Sequence, residues 1–286
     1  MGILRKGLRP PADNPRGETL PPQGTGETIR SRPMVSHAGH GWWPYWVPLF
    51  SFLILGEIAG RAPETWQPLS LPIKVLVPGV LFAWFYARGA YPELRGWRPR
   101  GRDLLLDTTV GVVGGAVWMA PYLLALRFDP PLWTALPEFF QPSPEDAFDS
   151  AQLGQHFVGL ALGLRVLGYA AVTPFVEEVF VRSWLARFAD VFDQRIDFRD
   201  VPLARFSWRS FWLVVIFFTA SHVPWEWPVA VLWIVGTQLW FYHRRQLGAL
   251  VVVHASSNLS IFLFVWLMDG RWLGPNGLPQ SLWFFL

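Results

Sequence analysis

Seven stretches of this chain are nearly free of charge and long enough to cross a bilayer, and that constrains its fold more than any other feature. They run near residues 42–60, 71–88, 104–126, 153–187, 210–225, 227–243 and 247–268. A hydrocarbon core of about 30 Å takes roughly 20 apolar residues in a helix. The expected fold class is therefore all-α, a polytopic transmembrane helical bundle of seven spans. Charged residues make up 16% of the chain, where a soluble domain carries about a quarter. The 18 tryptophans fit the same reading, because an apolar ring with one N–H donor settles at a membrane–water interface. The absence of cysteine excludes disulfides, thiolate nucleophiles and Cys-ligated metals. A net charge of +3 does not point to nucleic acid, because the arginines sit beside apolar runs, where they set topology.

The connecting segments alternate in basic character. Arg5, Lys6, Arg9, Arg16, Arg30 and Arg32 precede the first span; Arg95, Arg98, Arg100 and Arg102 follow the second. Arg195, Arg199, Arg205 and Arg209 follow the fourth, and Arg244 and Arg245 follow the sixth. The intervening segments are poorer in Arg and Lys, notably the acidic stretch Glu138, Glu145, Asp146 and Asp149. The positive-inside rule then puts the N-terminus in the cytoplasm and the C-terminus outside. Residues 1–41 hold six prolines and seven glycines and little to bury, so a disordered cytoplasmic tail is expected there. The first apolar run, from Trp42, lacks a small-residue cleavage site and reads as an uncleaved anchor. Residues 42–152 form N-terminal transmembrane helices, 153–268 a further helical core, and 269–286 an interfacial C-terminal tail.

The fourth run is too long for one straight crossing, since 35 residues at 1.5 Å each reach roughly 50 Å. Pro174 removes a backbone donor and should kink it, leaving 153–172 along the interface or as an eighth span. Gly111/Gly115 and Gly159/Gly163 are small-xxx-small pairs, read as helix-packing contacts.

Several polar residues inside these runs need partners or a task, because a charge at the bilayer centre costs about 2.5–3.5 kcal/mol even on lenient scales. In "TPFVEEVFVRSWL", Glu178 and Arg182 lie four apart and can pair on one helical face. Glu177 lies about 100° round the helix with Val181 as its own i+4 neighbour, which leaves it available as a general base. "FFTASH" ends in His222, one turn after Phe218; "HASSN" puts His254 and Asn258 on one face, with Ser256 and Ser257 pointing elsewhere. Counted from Arg187, Arg209 and Arg245, the depths of Glu177, His222 and His254 are about 15, 20 and 14 Å at 1.5 Å per residue. Three helices thus bring polar groups to similar heights. The bland alternative is an interhelical ion cluster. His243 reads as interfacial snorkelling, His37 and His40 as tail residues, and Glu57 with Arg61 as a helix-end pair. Arg165 and Asp107 fit either a bundle interior or an interface.

The ordered set Glu-Glu-x-x-x-Arg (Glu177, Glu178, Arg182), Phe-x-x-x-His (Phe218, His222) and His-x-x-x-Asn (His254, Asn258) resembles the type II CAAX prenyl endopeptidases. These belong to the wider CAAX protease and bacteriocin-processing (CPBP) superfamily of intramembrane proteases. The resemblance spans roughly residues 165–268, and "VPLARFSWRSFW" is similar to the subgroup associated with bacterial exosortase/PEP-CTERM systems. It implies a catalytic core in 153–268 and a membrane endopeptidase, multi-pass in a bacterial inner membrane. The substrate would be a membrane-anchored protein or peptide, of prenylated Cys-a-a-X type in some relatives. By motif position, Glu177 would activate water that His222 helps hold, while His254 and Asn258 stabilise the oxyanion. Glu178, Arg182 and Phe218 would support them. No cofactor is expected; the alternative is zinc held by Glu177, His222 and His254. Two other functions remain open: a non-catalytic membrane scaffold, and a proton-coupled transporter built on the buried Glu and His residues.

Overall fold

Seven helices carry the chain in the computed structural model, which describes residues 41–129, 135–142 and 147–286; all of these lie within one unit, Met34–Leu286. They are α1 (Trp43–Gly60), α2 (Gln67–Ala87), α3 (Gly101–Phe128), α4 (Gln155–Phe188), α5 (Trp208–Ala220), α6 (Trp227–Arg244) and α7 (Leu247–Met268). Among the described residues there is no strand, and Leu273 with Pro279 forms an isolated bridge. The fold is all-α as expected. The expected disordered tail, with His37 and His40, and the acidic residues Glu145 and Asp146 lie outside the described residues. Helices α2, α3, α4 and α7 are long and apolar enough to cross a membrane, which makes this an integral membrane protein. The seven-span expectation fits in number of helices, while α1, α5 and α6 fall short of that length or hydropathy.

Helix α4 departs from the expectation at 153–172. Those residues form neither an eighth span nor a separate interfacial piece. From Val158 the helix runs without a break to Phe188, through wide i→i+5 turns at Gly168–Val172 and Val179–Leu185. Pro174 lies at the start of the segment between them, Thr173–Glu178, and supplies no N–H there.

Small residues decide which helices approach closely. A Cβ on Gly111 would stand 2.0 Å from Ser256 Oγ and 2.2 Å from the Val253 carbonyl oxygen, and one on Gly115 would stand 2.3 Å from Ser260 Oγ. These glycines therefore seat α3 against α7, as their spacing suggested. The Gly159/Gly163 expectation fails: both are exposed, and added Cβ atoms would meet nothing within 4 Å. Ala161 and Gly168 face α2 instead, against Leu71 and Val75.

Ion pairs gather the basic connections at one end of the bundle. Arg244 binds the fully buried Asp107 through Nε and Nη2, both at 2.9 Å, and Trp240 Nε1 donates to the same carboxylate at 2.9 Å. Arg187 pairs with Glu93 at 3.2 Å, and Arg199 donates to the Gly41 carbonyl. Only Arg245 and Gln246 separate α6 from α7. Arg245 takes the left-handed conformation (φ 52°) and its N–H caps Phe241 O at 2.8 Å, so the two helices fold back antiparallel. At the opposite end, residues 269–286 fold onto the bundle. Asp269 Oδ1 accepts from Leu282 N at 2.8 Å, Arg127 donates to the Leu273 and Gly274 carbonyls at 3.3 Å, and Leu282, Phe285 and Leu286 are buried.

Candidate active site

Four of the seven residues singled out above, Glu177, Glu178, Arg182 and His254, meet inside the bundle in direct or near contact. Arg182 on α4 donates from Nε to Glu178 Oε2 at 3.1 Å and from Nη2 to Thr237 Oγ1 of α6 at 2.8 Å. The other Glu178 oxygen, Oε1, lies 3.1 Å from His254 Nδ1 on α7. A carboxylate only accepts, so Nδ1 carries the proton and the imidazole orientation is set. Both Glu178 oxygens are therefore engaged. Glu177 is not occupied in this way: its Oε2 lies 3.8 Å from His254 Nε2, beyond hydrogen-bond distance, and the side chain opens on a cavity.

That cavity, of about 400 Å³, is lined by Glu177, His222, His254 and Asn258 together. His222 lies just past the end of α5, where its Nδ1 is 2.7 Å from Phe218 O. A carbonyl cannot donate, so Nδ1–H is used there and Nε2 of the neutral ring remains an acceptor. Phe218 stacks on Trp233 at 5.0 Å, and Trp233 meets the His254 ring edge-on at 4.8 Å. The two imidazoles are thus held through one tryptophan on α6, which also donates to Ser257 Oγ at 3.3 Å. Ser256 turns away and bonds the Val252 carbonyl at 2.7 Å.

Asn258 is positioned by a defect in α4. In the wide turn, Thr173 N–H bonds Gly168 O. The next carbonyl, Tyr169 O, would pair with residue 174, but Pro174 has no N–H. Asn258 Nδ2 fills the gap at 2.7 Å, which satisfies a carbonyl that lipid could not. One N–H of the amide remains for another acceptor.

Sequence reasoning did not find Thr237, Trp233 or the Tyr169 carbonyl. Thr237 and Trp233 are four apart on α6, a run read only as a span, and that i,i+4 spacing was the available signal. Asp107 proves to be a buried structural partner of Arg244, Glu57 and Arg61 form an exposed pair, and Arg165 lines the cavity. Among the described residues no three His, Asp or Glu side chains converge as a metal-binding set. Glu177, His222 and His254 line the same cavity.

Residues 159–260 match the family model described as type II CAAX prenyl endopeptidase Rce1-like. The matched stretch is similar to that family. The match takes in Glu177, Glu178, Arg182, Phe218, His222, His254 and Asn258. That family is one of membrane proteases, and the match covers about a third of the chain. Comparison with curated proteins and with solved structures gives no match.

Proposed function

We propose that this protein is an intramembrane endopeptidase that hydrolyses a peptide bond of a membrane-anchored protein or peptide by glutamate-activated water, without a metal. The observation that carries the reading is the inequality of the two carboxylates. Glu178 is used up by Arg182 and His254, while its neighbour Glu177 faces a cavity shared with two histidines and an asparagine. In this mechanism Glu177 takes a proton from a water that His222 Nε2 also holds, and the hydroxide adds to the scissile carbonyl carbon. His254 and Asn258 stabilise the oxyanion, Asn258 through its remaining N–H. The C–N bond then breaks as Glu177 returns the proton to the leaving amine. Glu178 and Arg182 orient His254. In this reading the protein sits in a bacterial inner membrane with its N-terminus cytoplasmic; the basic connections support that orientation.

The test compares the termini of all membrane proteins in the native host carrying wild type or Glu177→Gln, alongside purified protein treated with a chelator. Expected is at least one protein whose terminus changes, and cleavage that survives chelation. Identical termini in both strains would favour a scaffold, pH-driven flux in liposomes a transporter, and activity restored only by zinc a metalloprotease.

A further inference from the structure

The segment that follows α7 reaches into the cavity, and the proposed hydrolysis does not use it. Phe284, Phe285 and Leu286 line the same hollow as Glu177, His222 and His254. Phe285 and Leu286 are buried, and Phe284 is half-buried. Their seat is aromatic. The Phe284 ring stands 5.8 Å from Trp225, the Phe285 ring 5.9 Å from Tyr122 of α3, and Tyr122 meets Trp225 edge-on at 5.0 Å. Tyr122 also donates from its hydroxyl to the Trp225 carbonyl. Trp225 follows His222 in the short connection between α5 and α6. The segment therefore rests on the same connection that carries the site histidine.

The way this segment is held changes at Leu282. Up to that residue, directional bonds fix the chain. Leu282 N–H donates to Asp269 Oδ1 at 2.8 Å, Gln280 N–H to Trp272 O at 2.8 Å, and Arg127 to the Leu273 and Gly274 carbonyls. Beyond it, among the described residues, one hydrogen bond joins the segment to the bundle, from Phe148 N–H to Trp283 O at 3.1 Å. The rest is apolar packing, which is non-directional and can be exchanged for another apolar group. The cavity beside it holds about 400 Å³, near the lower end of the roughly 300–1,000 Å³ of small-molecule pockets. An extended peptide needs more room than that. Resting on the endopeptidase reading, we propose that residues 283–286 are a hinged cap on the active-site cavity. Seated, they occupy the place of substrate side chains. Substrate enters when its own apolar residues displace Phe284, Phe285 and Leu286, while the hydrogen-bonded base stays in place.

The chain has no cysteine, so one introduced pair can lock the cap and release it on reduction. Phe148→Cys with Trp283→Cys suits this, because the two backbones are hydrogen-bonded and near enough for a disulfide. The pair is built into full-length Glu177→Gln protein in phosphatidylcholine nanodiscs. Binding is measured with a fluorescent pool of N-lipidated decapeptides of randomised sequence, and cleavage of the same pool on variants that keep Glu177. Oxidised protein should bind at least about tenfold more weakly than the same sample after reduction, because the lock removes the open fraction. Phe285→Ala, without the pair, should bind more tightly than its parent. A segment that merely supports the fold would lose binding when loosened, so the opposite signs identify a cap. Equal binding by oxidised and reduced protein, absence of binding in both included, overturns the proposal. So does weaker binding by Phe285→Ala, or a pair that does not oxidise. Lock-dependent binding without any cleavage would instead sink the endopeptidase reading and leave the cap standing.

Discussion

Replacing Arg182 by methionine removes the guanidinium bonded to a carboxylate that is only 2% exposed. Breaking a buried pair from one side costs about 3–5 kcal/mol, because the remaining charge is left uncompensated. Glu178→Gln should cost a similar amount, since Arg182 would keep only Thr237 and the Phe241 ring, 6.0 Å away. The double variant leaves no orphan charge, and a glutamine oxygen can still accept from His254 Nδ1–H. It should fall within about 1–2 kcal/mol of wild type, a coupling of at least about 3 kcal/mol. Unfolding free energies from steric trapping in bicelles measure this directly. Turnover by the folded double variant should remain low, because an amide no longer holds the His254 ring as the Glu178 carboxylate does. A single variant that costs under about 1 kcal/mol, or a double that is simply additive, would refute the buried triad.

Two further expectations test how the bundle sets the site. Gly111→Ala drives a methyl into Ser256 Oγ and the Val253 carbonyl and should cost about 1–3 kcal/mol, with activity lost as α7 shifts; Gly159→Ala, facing open space, should stay within about 0.5 kcal/mol of wild type. Asn258→Ala orphans Tyr169 O and should cost about 1–3 kcal/mol in stability and about 10²–10³ in kcat. Adding Pro174→Ala supplies the missing N–H and should recover stability in the same unfolding assay, while turnover stays low.

The helices were legible because apolar runs of spanning length leave few alternatives, and the Glu178–Arg182 pair because four-residue spacing is a local property. Depth counting from the flanking arginines was enough to bring Glu177, His222 and His254 to one level, and all three line one cavity. What stayed hidden is what depends on a partner helix. Gly159 and Gly163 have the same spacing as Gly111 and Gly115, yet only the second pair meets a neighbour. Thr237 looks like any threonine in a span until Arg182 points at it. Tyr169 contributes a backbone carbonyl, which no side-chain pattern reports.

Arg165 shows the limit most clearly, and α4 supplies the reason. At about 100° per residue, twelve residues of ideal α-helix leave Arg165 and Glu177 about 120° apart, on different faces, so a regular helix would point one of them away from the cavity. A wide i→i+5 turn holds one additional residue and takes back about 100°. With such a turn at Gly168–Val172, the offset shrinks to about 20°, and Arg165, Tyr169, Thr173 and Glu177 all line the same hollow. The same irregularity puts Tyr169 O opposite Pro174, where it needs the donor that Asn258 provides. One local departure from regular geometry therefore aligns the polar face of α4 and ties it to α7. Straightening α4 would separate Arg165 from Glu177 and free Asn258 in a single step, which makes the wide turn before Pro174 the structural determinant on which both ends of the cavity depend.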